Sequence, residues 1–152
     1  MDMYGKVELR APRALVWQAL NDPAVLKTCI PGCEELERTD DNGFAATAVL
    51  KVGPIKAKFK GKVQLRDITE PEGYTISGEG QGGIAGFAAG TAKVQLDENG
   101  PASTDLTYYT EAKVGGKLAQ LGARLIDSTA KKLAAEFFER FRVEVERMNA
   151  AA

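Results

Sequence analysis

Two hydrophobic periods divide the chain. In residues 115–148, Leu121, Leu125, Thr129, Leu133, Phe137, Phe141 and Val145 recur at every fourth position, so the spacing predicts one long helix with an almost unbroken apolar ridge. At about 100° per residue such a row drifts by about 40° per step, and only a twisted or curved partner can follow it. The stretch is rich in Ala, Leu, Lys and Glu, with Lys132, Glu136 and Arg140 in an opposite-charge i+4 series on the outer side. Its opening, Gly115-Gly116, offers no Ser, Thr or Asp cap.

Ahead of the ridge the period falls to two. Residues 3–10 alternate Val7 and Leu9 with Lys6, Glu8 and Arg10, which fits a half-buried strand. Pro12 then opens a short helix carrying Leu15, Val16, Trp17, Ala19 and Leu20. Asn21-Asp22-Pro23 ends it and starts a second, which Ile30-Pro31-Gly32 stops. From Glu34 to Val114 six further strands are predicted, at 34–40, 43–52, 55–67, 73–82, 86–97 and 103–114. Their separators are Asp41-Asn42-Gly43, Gly53-Pro54, Glu70-Pro71-Glu72-Gly73, Gly82-Gly83 and Asn99-Gly100-Pro101. The expected class is α+β: a curved seven-stranded antiparallel sheet around the C-terminal helix, with two short helices after the first strand.

The alternation also says which side chains face the helix. In 57–65 Ala57, Phe59, Gly61, Val63 and Leu65 alternate with lysines and Gln64, and the following strands turn inward Tyr74, Ile76, Gly78 and Gly80, then Ala88, Gly90, Ala92, Val94 and Leu96, then Leu106, Tyr108, Thr110, Ala112 and Val114. Because alternate turns of a meander share one end of the sheet, Leu65, Tyr74, Leu96 and Leu106 collect at one end and can fill space. Ala57, Gly61, Gly78, Gly80, Ala88, Gly90 and Ala112 collect at the other and cannot. An apolar cavity is expected there, walled by Phe59, Gly61, Tyr74, Ile76, Gly78, Gly80, Phe87, Gly90, Ala92, Tyr108, Thr110, Ala112 and the helix residues Leu118, Leu121 and Leu125. A void of about 300 Å³, small for a ligand site, would cost roughly 7 kcal/mol if empty, which rivals a typical total stability. The polar groups on this wall are Thr110, Tyr108, Tyr74 and Gln120, so a lipophilic guest with one or two polar handles is expected. Around the mouth Ile55, Ile84 and Phe87 accompany Lys51, Lys56, Lys58, Lys113 and Lys117, which suits an anionic membrane surface or an acidic partner.

Composition narrows the chemistry. A chain of 152 residues with 44% hydrophobic content makes one domain, expected over 1–149 with a short tail at 150–152. A net charge of −1 gives no basic excess, so nucleic acid is not an expected partner. There is no membrane-spanning apolar run and no signal-like start, so a cytoplasmic location is expected. The chain has no His, which removes Ser–His and Cys–His relays and most zinc sites. Cys29 and Cys33 read as small hydrophobes at a helix-to-strand corner or as a redox pair. Glu79 and Glu111 lie near the mouth but alternate away from the apolar face, and no catalytic residue is expected. Gly78-x-Gly80-x-Gly82-Gly83 does not open a helix and so is a poor phosphate loop.

Ile30-Pro31-Gly32-Cys33-Glu34, Lys51-Val52-Gly53-Pro54-Ile55 followed by Phe59-Lys60-Gly61, Gly78-Glu79-Gly80, Gly86-Phe87 with Gly90, and GGKLAQLGARLID at 115–127 together carry a resemblance that spans nearly the whole chain. In these the sequence resembles the CoxG family of carbon monoxide dehydrogenase subunits, within the START-like (SRPBCC) helix-grip superfamily. The resemblance implies a nonenzymatic accessory protein of a molybdenum hydroxylase such as aerobic carbon monoxide dehydrogenase. It would recruit the enzyme to the inner face of the cytoplasmic membrane and bind a lipophilic quinone, menaquinone-like, as its ligand, with no covalent cofactor and no metal. Many relatives continue into a low-complexity tail with a membrane-interacting end, whereas this sequence stops at Ala152, so a short member or a truncation with weak anchoring of its own is expected. Two other readings stand beside this one: a recruitment or assembly factor without a physiological ligand, and a START-like enzyme acting on a hydrophobic substrate.

Overall fold

The computed structural model describes residues 1–40 and 42–152. Of the expected turn Asp41-Asn42-Gly43, Asp41 lies outside the described residues. Seven strands, β1 (Asp2–Leu9), β2 (Cys33–Asp40), β3 (Gly43–Val52), β4 (Ile55–Thr69), β5 (Gly73–Gln81), β6 (Phe87–Glu98) and β7 (Thr104–Gly115), form one antiparallel sheet in the order β1-β7-β6-β5-β4-β3-β2. Consecutive strands from β2 to β7 pair as hairpins. Helices α1 (Arg13–Leu20) and α2 (Pro23–Cys29) carry the chain from the β1 edge to the β2 edge. Asp22 caps α2 by accepting from the Ala24 N–H at 2.9 Å, with Pro23 in the first turn.

The helix-facing set of each strand is the one the alternation predicts. Leu65, Tyr74, Val94, Leu96 and Leu106 are buried, and they meet Val16, Trp17, Ala19 and Leu20 of α1 and Val25 and Cys29 of α2 in one core. Phe141 and Val145 enter the same core without any exposed surface. Polar stitches hold its perimeter. Thr104 Oγ1 donates to the Ala11 carbonyl at 2.8 Å, and Trp17 Nε1 donates to Glu70 Oε1 at 2.8 Å while its ring lies 5.3 Å from that of Tyr74.

The long helix differs from the expectation at its start. Gly115 is the last residue of β7, a 3₁₀ segment runs over Gly116–Leu121, and α3 begins only at Ala123 and continues to Ala151. Gly122, at φ 90° and ψ 152°, breaks the run in a conformation essentially closed to other residues, so the apolar period crosses a backbone discontinuity. The ion pairs on α3 also lie elsewhere than expected. Among the described residues Arg142 bridges Glu139 at 2.6 Å and Glu146 at 2.9 Å, and Arg147 pairs with Glu144, whereas Lys132, Glu136 and Arg140 form no bridge with one another. These pairs are largely exposed and add little to stability.

Cys29 is wholly buried, and burial, with Glu144 adding to it, pushes its thiol up from 9.0 to about 11. A thiol with a raised folded value binds its proton more tightly than the unfolded chain does. The associated stability is therefore complete below pH 9 and disappears as pH rises to about 11. Denaturant titration across this window should show a fall of up to about 2–3 kcal/mol, flattened in Cys29→Ala. Phe141→Ala should cost about 3–5 kcal/mol, and Leu133→Ala, which faces a looser part of the interior, less than about 2 kcal/mol in the same assay.

Candidate functional site

Apolar packing inside the sheet is not continuous. The large core ends in a fringe of half-buried Val63, Ile76, Tyr108, Phe137 and Phe138. A second, smaller cluster gathers Val52, Leu118 and Ile126 with Ile55, Phe59, Val114 and Leu121 at the opposite pole of the sheet. Between them lie inward-facing Ala46, Ala48, Leu50, Gly61, Gly78, Gly80, Gly90, Ala92, Thr110 and Ala112, opposite Thr129, Ala130, Leu133 and Ala134 of α3. All of these remain partly accessible. The i+4 ridge shows the same division, with Phe141 and Val145 buried and Leu121, Leu125, Thr129, Leu133 and Phe137 half-buried. A run of glycine and alanine on five adjacent strands cannot reach the helix, which explains a ring of open apolar surface held between two closed ends.

Most of the expected wall residues belong to this ring or its borders. Gly61, Ile76, Gly78, Gly80, Gly90, Ala92, Thr110 and Ala112 face it, and Leu125 borders it with its side chain against Gly53. Tyr108 forms the β1 side, its ring stacked on Phe138 at 4.7 Å and pressed against Gly5, where a Cβ would come within 2.3 Å of it. Burial raises the Tyr108 hydroxyl above its ordinary value, so it stays a neutral donor. Neither Tyr108 nor Thr110 makes a side-chain hydrogen bond among the described residues.

Other expected wall residues lie elsewhere. Tyr74 is packed in the large core beside Trp17, because that end of the sheet is the filled one. Phe87 faces outward: it pairs with Gly115 across β6 and β7, and its ring covers that glycine. Phe59, Leu118 and Leu121 belong to the small cluster, so they close the pole at which the alternation predicts an open mouth. Ile55 packs there too and is not an exposed tip. Of the expected mouth lysines, Lys58 is tied to Glu34 at 3.3 Å, and Lys51, Lys56, Lys113 and Lys117 are exposed around the pole with Ile84. Gln120 is exposed. Glu79 and Glu111 lie on the outer face, as the alternation requires.

Two grooves on the outer face go beyond the sequence expectation. One, of about 870 Å³, crosses the sheet over Ser77, Ala89 and Thr91 between Asp40 and Asp2. The other, of about 880 Å³, lies over Ala45 and Thr47 beside Lys60 and Glu37. Their signal in the sequence is the outward set, where these short residues interrupt rows of Lys, Glu and Tyr. Among the described residues no cluster of His, Cys, Asp and Glu could hold a metal ion, and no helix is long and apolar enough to cross a membrane.

The CoxG family model, which describes a carbon monoxide dehydrogenase subunit, matches residues 5–146. Among solved structures, a conserved protein from Geobacillus kaustophilus is 31% identical, with a TM-score of 0.90 over 97% of this chain and 96% of that one. A START superfamily protein from Mycobacterium smegmatis (14% identity, TM-score 0.73, 97% and 98% covered) and the Zhui aromatase/cyclase from Streptomyces sp. R1128 (12%, 0.71, 97% and 94%) share the fold. A search of curated proteins found no match.

The glycines of the ring differ in what they tolerate. A Cβ on Gly78 would lie 3.4 Å from the Lys62 carbonyl oxygen and one on Gly80 3.9 Å from that of Lys60, whereas one on Gly90 would meet the Glu111 carbonyl oxygen at 2.4 Å. Gly78→Leu and Gly80→Leu should therefore fold and fill the ring. They should lower uptake of a lipophilic fluorophore at least tenfold, a change of about 1.4 kcal/mol in affinity. Gly90→Leu should instead lose thermal stability, because it forces β6 and β7 apart.

Proposed function

The chain belongs to the CoxG family of carbon monoxide dehydrogenase subunits, and on that premise we propose that it is a nonenzymatic accessory protein that holds a lipophilic ligand, a menaquinone-like quinone, between a molybdenum hydroxylase and the cytoplasmic membrane. The observation that carries this reading is the ring of half-buried small residues between two closed apolar clusters. Apolar surface so enclosed gains about 25 cal/mol for each Å² that a guest removes from water, so a flat or branched hydrocarbon is a favourable occupant.

A quinone suits the ring chemically. It carries apolar bulk and two carbonyl acceptors, and the wall supplies two hydroxyl donors, Tyr108 and Thr110, that make no side-chain hydrogen bond among the described residues. No imidazole is available, and Glu79 and Glu111 face away from the ring, so the site is built for holding rather than for proton transfer. The family's description supports a carbon monoxide dehydrogenase-type hydroxylase as the partner enzyme. The membrane role is supported by Lys51, Lys56, Lys113 and Lys117 around exposed Ile84.

Native mass spectrometry and solvent extraction of the purified protein should recover an isoprenoid quinone in about stoichiometric amount. A protein that stays empty when offered menaquinone, yet still binds the dehydrogenase, would establish docking without a ligand. In quinone titrations Tyr108→Phe and Thr110→Val should each weaken binding by about 0.5–1.5 kcal/mol, the net value of one hydrogen bond, with stability little changed.

A further inference from the structure

The sheet pole closed by the small cluster is built from three connections: the β3–β4 turn at Gly53-Pro54, the 3₁₀ turn Gly83–Ala85, and the 3₁₀ segment Gly116–Leu121. The pole-side stretches of these strands and connections, 50–60, 81–91 and 112–126, hold four, none and three of the chain's 20 Lys and Arg residues and none of its 21 Asp and Glu residues. A chain of net charge −1 therefore has one strongly basic end. Lys51, Lys56, Lys113, Lys117 and Arg124 are all exposed, and the neighbouring acids, Glu34, Glu79, Glu111 and Asp127, come from outside these stretches. At the tip of this end Ile84 is 86% exposed, the most exposed large hydrophobic residue among those described, with Phe87 beside it at 43%.

The same tip is one half of a seam. The β6–β7 ladder ends at the Phe87 and Gly115 pair, and beyond it the two 3₁₀ pieces meet through glycine backbone, since a Cβ on Gly86 would lie 2.1 Å from the Gly115 carbonyl oxygen. The hydrogen bonds of the turn are internal: Gly82 N–H donates to the Gly86 carbonyl at 2.8 Å and Gly86 N–H to the Gly83 carbonyl at 3.1 Å. Among the described residues no hydrogen bond joins the turn to the Gly116–Leu121 segment. Each piece is bracketed by glycines at positive φ, Gly83 (62°) and Gly86 (112°) for one, Gly116 (69°) and Gly122 (90°) for the other. Gly83 and Gly122 have no atom within 4 Å of where a Cβ would stand, so backbone conformation alone requires glycine there.

We propose that this basic pole docks on an anionic bilayer with Ile84 as the inserted tip, and that the apolar guest passes between the Gly83–Ala85 turn and the Gly116–Leu121 segment while docked. The proposal deepens the ligand-carrier reading and rests on it for the passage step. Docking rests only on the charge division and the exposed tip. A bilayer accepts Ile84 and Phe87 into its interface and the flanking lysines at its headgroups, whereas a folded acidic protein would satisfy the charges and leave the tip in water.

Flotation and dye transfer test both parts. The protein should float with vesicles of phosphatidylcholine and phosphatidylglycerol but not with phosphatidylcholine alone. Ile84→Glu should abolish flotation, and Lys117→Glu and Arg124→Glu should each weaken it about fivefold or more. With N-phenyl-1-naphthylamine as the apolar probe, wild type should exchange dye with the anionic vesicles faster than with neutral ones. Ile84→Glu should bind the dye normally in solution and lose that acceleration. Gly122→Ala, which strains the closed seam without a steric clash, should release dye faster and still float. Absence of flotation with anionic vesicles would overturn the docking, as would binding of an acidic protein that survives Ile84→Glu. Flotation with dye exchange unchanged in Gly122→Ala would overturn the route. Failure of wild type to bind any dye would instead remove the carrier reading, and the route with it.

Discussion

A helix can be gripped only where the strands opposite it carry side chains long enough to touch it, and every distinctive feature of this molecule follows from where that condition holds. At one end of the sheet Leu65, Leu96 and Leu106 reach Phe141 and Val145, and the interior is solid. Farther along the same strands the inward positions are glycine, alanine or threonine, and contact with the helix lapses. The pole beyond is closed again, by Val52 at the end of β3, Leu118 of the 3₁₀ segment and Ile126 in the first turn of α3. The molecule is thus sealed at both ends and loose between them, an arrangement that a uniformly packed α+β domain has no reason to adopt.

The charge distribution obeys a separate constraint that meets the first at one place. Strand β4 alternates lysine outward with small or apolar residues inward, so the same alternation that empties the interior loads the exterior with cations. Among the described residues the carboxylates are kept to β1, the cap of α2, β2, the filled-end termini of β4 and β6 with the turn between β4 and β5, the outer faces of β5 and β7, and α3. A field of one sign at the thinly closed pole acts on a partner before contact and orients the molecule as it approaches.

Much of this is legible in the sequence because both periods are clean. The strand boundaries fall within a few residues of those expected, since each turn carries its own Gly, Pro or Asn signal, and the inward set follows from alternation alone. The ring of small residues is legible for the same reason. Expectation and structure separate where local pattern and chain path part company. The i+4 row runs without a gap through Leu121 and Leu125, and nothing in that period reveals that Gly122 turns the backbone between them. Phe87 is apolar and sits at a loop tip, which suggests a wall residue, yet its own alternation with Ala88 sets it outside. The closing cluster joins β3, β4, β7 and the helix start, four segments whose meeting depends on how far the sheet curls, and no local period carries that information.

The last turns of α3 are stitched back to the beginning of the chain: the Arg10 N–H donates to Glu146 at 3.2 Å and the Asn149 side chain to the Arg10 carbonyl at 3.2 Å, while β1 pairs along its whole length with β7. Strand β1 is made before β7, its sheet partner among the described residues, and before the α3 residues that complete its core. The first strand must therefore wait on the nascent chain with its apolar residues uncovered until β7 and α3 have emerged. Non-local pairing of this kind slows folding and leaves edges open in the meantime. For this fold, the order of synthesis and the order of assembly run against each other.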